Sequence, residues 1–577
     1  MSDVPDSAPA PDVAHLEGGA GLSRRRTWAE RDGALTQPAA RALAALIVFV
    51  ALTVIHTWPL ASAPATLSRT DNKDTLLNAW AIAWVAHALV TDPRLVLDGN
   101  IFHPEPRTIA FSDPVIVPGA LAVPLRAAGA GPVLTYNLLL LAGYALSAWS
   151  MQWLAWRWTG HFGASLVAGS LFAFNAHSLV SMGHIQAIHA YGLPLLLVGL
   201  DELCRPERRR LWAGLLVGAA ATLLALTSGY LAIFGIVCGV VVVVTRWPEL
   251  RQPPLRPLLT ASLAGAVLLA VTVLPVLQAY REMRQAQGFS RSLDLVAAMS
   301  ANGAAYVATP ARVHERWARD VYQHREPKDS LFPGVVASGL ALVGVLLWRV
   351  GSRARGMRVA LGLAIVGVVL SFGPATPIYE VFYRIVPFAS SVRAASRFGV
   401  LWLTGLAVLA AFGTAALARR WPRVGTATSL LAVAAVNVEA FRGPVPYVRA
   451  PEPSPVYDTL ATLPHGVVAE MPFWWRPIDV PRNANYMLDS TRHWKPLLNG
   501  YSGFTPESYR KRADILWYFP FRAASFAELD RAGVSYVVLH LPEYGSQRRE
   551  ARELIAASGR WRVAATTDDV VLYERIR

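Results

Sequence analysis

Charge is scarce in this chain. Of 577 residues only 16% are Asp, Glu, Lys or Arg, while 54% are hydrophobic. Soluble domains carry about 25% charged residues. The shortage excludes an ordinary soluble enzyme and makes the chain a multi-spanning membrane protein on composition. Cysteine is nearly missing. The two present, Cys204 and Cys238, fall at or inside apolar segments, which excludes a disulfide framework or a cysteine metal site. Lysine is rare too: the net charge of +15 comes almost wholly from arginine, in short runs between apolar segments. Topology signals have that form; nucleic-acid-binding surfaces do not. There is no Walker A loop, no Gly-x-Ser-x-Gly elbow and no His-Glu-x-x-His helix. ATP-driven transport, serine hydrolysis and zincin chemistry therefore have no local support. No internal repeat is evident.

What is present is a series of apolar segments. A spanning helix needs about 20 mostly apolar residues. Eleven segments qualify, near 41–60, 133–156, 162–179, 186–203, 211–228, 229–245, 257–279, 331–349, 357–374, 398–416 and 424–441. Residues 1–40 are polar, rich in Pro and Ala, and end in Arg24-Arg25-Arg26. They read as a disordered cytoplasmic tail, with the first apolar segment retained as an anchor. Arginines at 24–26, 157, 205–210, 246–256, 349–358 and 419–423 all fall on one side of this map. The positive-inside rule makes that side cytoplasmic. The opposite side receives loops 61–131 and 280–330 and everything after about 442.

The first outer loop holds two more apolar stretches, 75–91 and 113–130. They either span the membrane or lie along its outer surface. Trp80, Trp84 and His87 share one helical face, which favours the interfacial reading as an aromatic belt. Residues 442–577 have another texture. A proline-rich stretch from Pro444 to Pro455 reads as a stiff linker. Strand-like runs follow at 466–471, 534–540 and 569–573, with helical stretches near 506–517, 525–532 and 546–558. This is a small extracytoplasmic α/β domain.

Thr70-Asp71-Asn72-Lys73-Asp74 lies about ten residues beyond the first span. A carboxylate just outside the bilayer can deprotonate or orient an acceptor hydroxyl for attack on a sugar carbon. The leaving group would be a lipid phosphate held at the interface. Asp71 or Asp74 can equally cap the helix that begins near 75. Asn78 and Trp80 follow on the same stretch.

This layout resembles the GT-C superfamily of membrane glycosyltransferases: a basic tail, one span, then a long outer loop with an early acidic motif and two interfacial helices. The resemblance covers roughly 41–441 and rests on topology more than on sequence. It implies a polyprenyl-phosphate sugar donor and makes Asp71 the match to the key acid, with Asp74 as second acid. Many members carry two adjacent acids where this chain has Asp-Asn-Lys-Asp, so the roles of Asp71 and Asp74 stay open. Leu331-Phe-Pro-Gly334, Arg393-Ala-Ala-Ser-Arg-Phe398, His493-Trp-Lys-Pro496 and Asn499-Gly-Tyr-Ser-Gly503 resemble bacterial proteins described as YfhO-like or as glycosyltransferases.

Other polar residues on the outer side extend the candidate site. His103, Glu105 and Asp113 could line a sugar site or hold a divalent cation with Asp71, although each has a neighbouring proline that also suits a turn. His184 stands at an outer helix end, five residues from His189. Arg393 and Arg397 lie against the positive-inside trend, at an i,i+4 spacing that places both on one helical face. Two guanidinium forks there suit a phosphate; snorkelling arginines would look the same. Arg291 is a weaker case of the same kind. His493, Trp494, Lys495, Asn499 and Tyr501 form a polar-aromatic cluster suited to sugar rings and hydroxyls, or to packing.

The expectation is thus a polytopic α-helical membrane protein of bacterial inner-membrane type, with a cytoplasmic N-terminus and about eleven spans. It would transfer a sugar from a polyprenyl-phosphate donor to a glycan, glycolipid or protein acceptor. No cofactor is required by the pattern. The competing class is a non-enzymatic transporter of lipid-linked glycans or an envelope-assembly protein. A transport path needs ionisable residues in mid-helix positions, and the spans contain almost none.

Overall fold

The computed structural model describes residues 39–69, 73–288, 291–322, 329–347, 354–386 and 389–576. Nearly all of the polar tail, and Asp71 itself, lie outside the described residues. Each of the eleven apolar segments contains helix. They are α1 (Ala39–His56), α4 (Pro132–Thr159), α5 (Phe162–Ala173), α6 (Gly192–Leu203), α7 (Leu211–Thr227), α8 (Gly229–Thr245), α9 (Arg256–Gln287), α10 (Val335–Leu346), α11 (Ala354–Ser371), α12 (Gly399–Arg420) and α13 (Gly425–Ala440). The intervening outer stretches supply α2 (Asp74–Thr91) and α3 (Ile116–Ala127). Five segments among the described residues are long and apolar enough to cross a membrane: those holding α1, α4, α5, α9 and α12.

Burial sorts these helices into centre and rim. Helices α5 and α12 are mostly buried inside the protein, whereas α1 and α9 bury about a fifth of their length or less. Leu259, Leu263, Val267, Val271 and Leu274 make one exposed apolar stripe on α9, the surface expected to meet lipid tails. Small residues let α9 approach α7 closely. A Cβ on Gly214 or Gly218 would collide with the backbone of Ala261 or Gly265. Backbones pack this way between membrane helices when small residues recur every fourth position.

Two expected spans are interrupted. Segment 186–203 opens with a short turn at Ile185–Ile188 and regular helix starts only at Gly192, with Pro194 in its first turn. Proline is tolerated there because the first N–H groups have no intrahelical partner. In segment 162–179 the helix breaks at Asn175, whose side chain accepts from the Ser178 N–H and starts a second short helix, Ala176–Val180.

The two ends of the bundle differ chemically. At one end the arginine loops converge. Asp201 accepts from Arg205 at 2.8 Å and Arg246 at 2.7 Å, Glu202 pairs with Arg157, and Glu249 takes Arg358 at 2.7 Å. Arg246 is fully buried. These arginines are more than topology signals: several are the partners of buried carboxylates, which must be paired in a medium without water.

At the other end sits the C-terminal region. Strand β1 (Leu67–Arg69) pairs antiparallel with β2 (Tyr447–Arg449), so the proline-rich stretch is stitched to the first loop instead of hanging as a free linker. Beyond it lie α14 (Val456–Thr462), β3 (Val467–Met471), α15 (Asn483–Asp489), α16 (Glu507–Leu516), α17 (Ala523–Arg531), β4 (Val534–His540), α18 (Arg548–Ala557), β5 (Trp561–Thr566) and β6 (Val570–Arg575). The sheet order is β3-β4-β6-β5, with β3 and β4 parallel and the other pairs antiparallel. Three strands and three helices match the expectation. The edge strand β5, and helices α14 and α15, were not expected.

Helix α2 runs along the underside of this region. Its first residue, Asp74, meets Tyr501, and His87 stacks on Trp494 at 4.4 Å. Contacts to one region at both ends mean that α2 lies beside it. The expected aromatic belt is corrected, however. Trp80 is buried and its indole N–H donates to Asn100, and Trp84 packs edge-on against Trp494. These aromatics fasten the C-terminal region and do not face lipid.

Candidate functional site

Helix α2 begins one residue earlier than its apolar pattern suggests. Lys73 occupies the N-cap in a left-handed conformation (φ 77°) with no side-chain cap, and Asp74 is the first helical residue. Capping is therefore not the role of the Asp74 carboxylate. Its Oδ1 accepts from the Tyr501 hydroxyl at 2.6 Å, and its Oδ2 lies 3.3 Å from His184 Nε2. Burial would raise this carboxyl, but His184, Tyr501 and the charge of Arg393 outweigh it and hold Asp74 below the usual carboxylate range. The group is ionised at neutral pH while largely shielded from water.

Segment Gly183–Gln186 ties this acid to a second one. Asn78, one turn along α2, donates to the Gly183 carbonyl at 3.1 Å, which fixes the segment against the helix. His184 then faces Asp74, and two residues on Gln186 donates to Asp113 at 3.1 Å. Asp113 also accepts from the Ser228 hydroxyl and the Gly229 N–H, both at 2.9 Å. It thereby satisfies the junction between α7 and α8, where backbone groups have no helical partner.

That junction presents Tyr230. Its hydroxyl accepts from the N–H groups of Arg393 (3.2 Å) and Ala394 (2.9 Å), and the Arg397 guanidinium lies 4.5 Å from its ring centre. Here one expectation fails. Arg393 precedes a short 3-10 turn, Ala395–Phe398, and α12 starts only at Gly399. The two arginines share no α-helical face; Tyr230 is what brings them together. Arg291 completes the group. Its N–H donates to the Ser390 carbonyl, its guanidinium to the Gly503 carbonyl at 3.0 Å, and Arg284 reaches the Ser390 hydroxyl. Burial and the nearby charge of Arg393 lower the Arg291 pKa. Arg393 thus acts on the ionised Asp74, while Arg291 lies within the field of Arg393 and Arg397 shares Tyr230 with it, a cationic grouping that suits a phosphate.

Several candidate residues stand elsewhere. His103 lies in the seam between the first loop and the C-terminal region: its N–H donates to Leu497 and its carbonyl accepts from Arg512. Glu105 accepts from Ser508 and Gln287. His103, Glu105 and Asp113 have different partners, and among the described residues no three His, Cys, Asp or Glu side chains are placed to hold a metal ion; the expected fourth member, Asp71, lies outside the described residues. Asn499 is fully buried with its amide spent on both backbone groups of Glu470. Lys495 donates to the Leu463 carbonyl. Burial pushes His493 down to about 3, and its Nδ1 accepts from the Lys495 N–H. These three serve the interior of the C-terminal region. Of the expected polar-aromatic cluster, Tyr501 reaches Asp74, the described acid of this loop.

Tyr230 escaped the sequence reading. The signal was the Ser228-Gly229 break between two apolar segments, which puts an aromatic hydroxyl at a helix start. His177 also belongs here. It is buried, its Nδ1 has no partner among the described residues, and it lies within reach of the charges of Arg397 and His184.

No family model and no curated protein matches the chain. Solved structures do. Mycobacterial arabinofuranosyltransferase AftD aligns with a TM-score of 0.57 and 16% identity over 95% of this chain and 40% of AftD. A point mutant of AftD gives 0.55 and 16% over 94% and 42%. The chain therefore spans about two fifths of AftD's length. The oligosaccharyltransferase of Archaeoglobus fulgidus aligns less well, at 0.49 and 13% over 88% of this chain and 70% of that one. At these identities the likeness is one of fold.

Proposed function

We propose that this chain, which has the fold of the GT-C membrane glycosyltransferases, transfers a sugar from a polyprenyl-phosphate donor to a hydroxyl-bearing cell-envelope acceptor. The observation that carries this reading is the ionised Asp74, held by His184 and Tyr501 within the field of Arg393. The glycosidic carbon–oxygen bond to the lipid phosphate breaks, and the acceptor oxygen forms a new bond to the same carbon from the opposite face. The acceptor proton passes to Asp74 or to its sequence neighbour Asp71. The phosphate departs on the polyprenyl chain, its charge met by Arg291, Arg393 and Arg397. Fixed opposite charges at the two ends of a displacement stabilise its transition state without reorganisation.

The reaction belongs to the outer face of a bacterial cytoplasmic membrane. One feature supports that side. The buried arginine network and the C-terminal region lie at opposite ends of the bundle, and the positive-inside rule assigns the arginine end to the cytoplasm. The wealth of arginine at the site, against that rule, is itself a sign of an anionic ligand. The alternative of a glycan transporter has less support, because the buried acids Asp201, Glu202 and Glu249 sit at helix ends and are taken up in ion pairs with arginines.

The test is direct. Purified full chain in liposomes is given a panel of polyprenyl-phosphate pentoses and hexoses with membrane-extracted glycan acceptors, and release of polyprenyl phosphate is followed. Asp74→Asn and Asp71→Asn should each be assayed. A fall of about 100-fold or more in one of them is expected, the scale of removing a catalytic base. Wild-type rates in both variants would sink the assignment of the acidic loop.

A further inference from the structure

A second positively charged hollow lies away from this site. A cavity of about 450 Å³ opens between the end of α3, the first turn of α4, the proline-rich stretch and the end of α15. Arg126 and Arg492 both line it, and burial together with the charge of Arg492 lowers the Arg126 pKa. Among the described residues Arg126 bonds the Ala130 carbonyl alone, and Arg492 has a 3.6 Å contact to the exposed Asp458. Glu452 lines the same cavity but makes no ion pair with either guanidinium among the described residues. Like charges held together at a hollow are costly until a counter-charge enters. The backbone of Gly129–Gly131 forms part of the wall, and α4 starts there with no side-chain cap. The uncapped start of a 28-residue helix adds positive potential to that of the arginines.

We propose that this cavity is a second anion site, which takes a phosphate group carried by a lipid headgroup or free in solution. It is distinct from the Asp74 site. The charge of Arg126 reaches His87, the fourteenth residue of α2, whereas the charges acting on Asp74 are those of His184 and Arg393. Thirteen residues of helix separate the two, about 20 Å at 1.5 Å per residue. The volume suits a phosphorylated headgroup, since small-ligand pockets run from about 300 to 1,000 Å³. Arg126 ends α3, an apolar helix whose Leu121 is exposed, so the site opens beside a lipid-facing surface. The inference rests on this cavity alone and is independent of the transfer reaction.

The experiment uses the full chain in detergent micelles with two probes: phosphatidic acid, read by native mass spectrometry, and ³²P-labelled inorganic phosphate, read by equilibrium dialysis. Retention of phosphatidic acid should fall about tenfold or more in R126Q/R492Q and remain unchanged in R549Q, an exposed arginine of α18 outside both sites. Thr66→Trp, which fills the cavity and keeps both charges, should produce the same loss and guards against a folding defect in the double variant. Loss of phosphatidic acid alone assigns the site to a headgroup. Loss of both probes assigns it to phosphate itself. Equal binding of both probes by wild type, R126Q/R492Q and Thr66→Trp overturns the proposal.

Discussion

The Tyr501 hydroxyl donates to Oδ1 of Asp74 at 2.6 Å, across 427 residues of sequence. The contact makes the C-terminal region part of the acidic site. Tyr501→Phe removes one hydrogen bond to a charged acceptor, worth about 1.5 kcal/mol or roughly tenfold in rate. It also relieves part of what holds Asp74 below its usual range. If Asp74 is the base, the rate rises with pH as it ionises, so the acid limb of the variant's profile should move to higher pH. The stability consequence has the same sign. A depressed carboxyl stabilises the fold above its unfolded value of 3.8 and loses that contribution as pH falls through the lower folded value. A pH–rate profile identical to wild type would remove Tyr501 from the site.

Much of this arrangement was legible and some was not, for physical reasons. Apolar runs mark helices because burial and lipid select them, and all eleven segments are helical. The arginines of several loops meet at one end of the bundle, a grouping that the charge pattern already suggests because it counts charges and needs no contacts. The acidic loop stands out because its carboxylates follow soon after the first apolar segment in a chain poor in charge. What escaped depends on contacts between distant segments. Nothing local says that Asn499 spends its amide on Glu470, or that Arg393 and Arg397 meet through Tyr230 and not along a helix. The strand β5, Trp-Arg-Val-Ala-Ala-Thr, is an edge strand with one exposed face and carries a weak pattern of its own.

Arg393 and Tyr230 should separate donor binding from chemistry. Arg393→Gln removes a phosphate partner and should raise KM for the donor about tenfold, the loss of one charge-assisted bond. Tyr230→Phe leaves the N–H groups of Arg393 and Ala394 without their acceptor, at a cost of about 1–3 kcal/mol for each group kept from water. Its KM should rise and its melting temperature should fall, whereas Arg393→Gln should change KM with little effect on melting. Steady-state kinetics beside thermal unfolding in detergent checks both, and an unchanged KM in both variants removes the arginine group from donor binding.

Asp113 should behave as a positioning residue. Its oxygens hold Ser228, Gly229 and Gln186, so Asp113→Ala strands three donors and should destabilise the protein by about 2 kcal/mol or more. Asp113→Asn keeps one carbonyl acceptor and should cost less. The donor KM should rise in the alanine variant through displaced Tyr230, with partial rescue in the asparagine variant. A stable Asp113→Ala protein with abolished turnover and unchanged KM would instead make Asp113 a participant in the chemistry.

The C-terminal region carries its own pH dependence. Glu470 is fully buried, accepts from Tyr457 at 3.1 Å and pairs with His540 at 2.8 Å. Asp489 lies beside this pair with one carboxyl oxygen buried and unpartnered. Burial first, and the neighbouring Glu470 second, push the Asp489 carboxyl up to about 7. A carboxyl raised from 3.8 to about 7 binds its proton more tightly in the folded state. Its contribution is therefore fully present below pH 3.8 and is lost as pH rises through about 7. Above that, a buried charge with an unpaired oxygen remains, which is costly. Asp489→Asn carries no charge to bury. The variant should be more stable than wild type at pH 8, by about 2 kcal/mol or more, and its stability should vary less between pH 4 and 7. Thermal unfolding of the full chain at pH 5, 6.5 and 8 reads this out. A variant that loses stability equally at all three values would show that Asp489 is held by a partner in its ionised form.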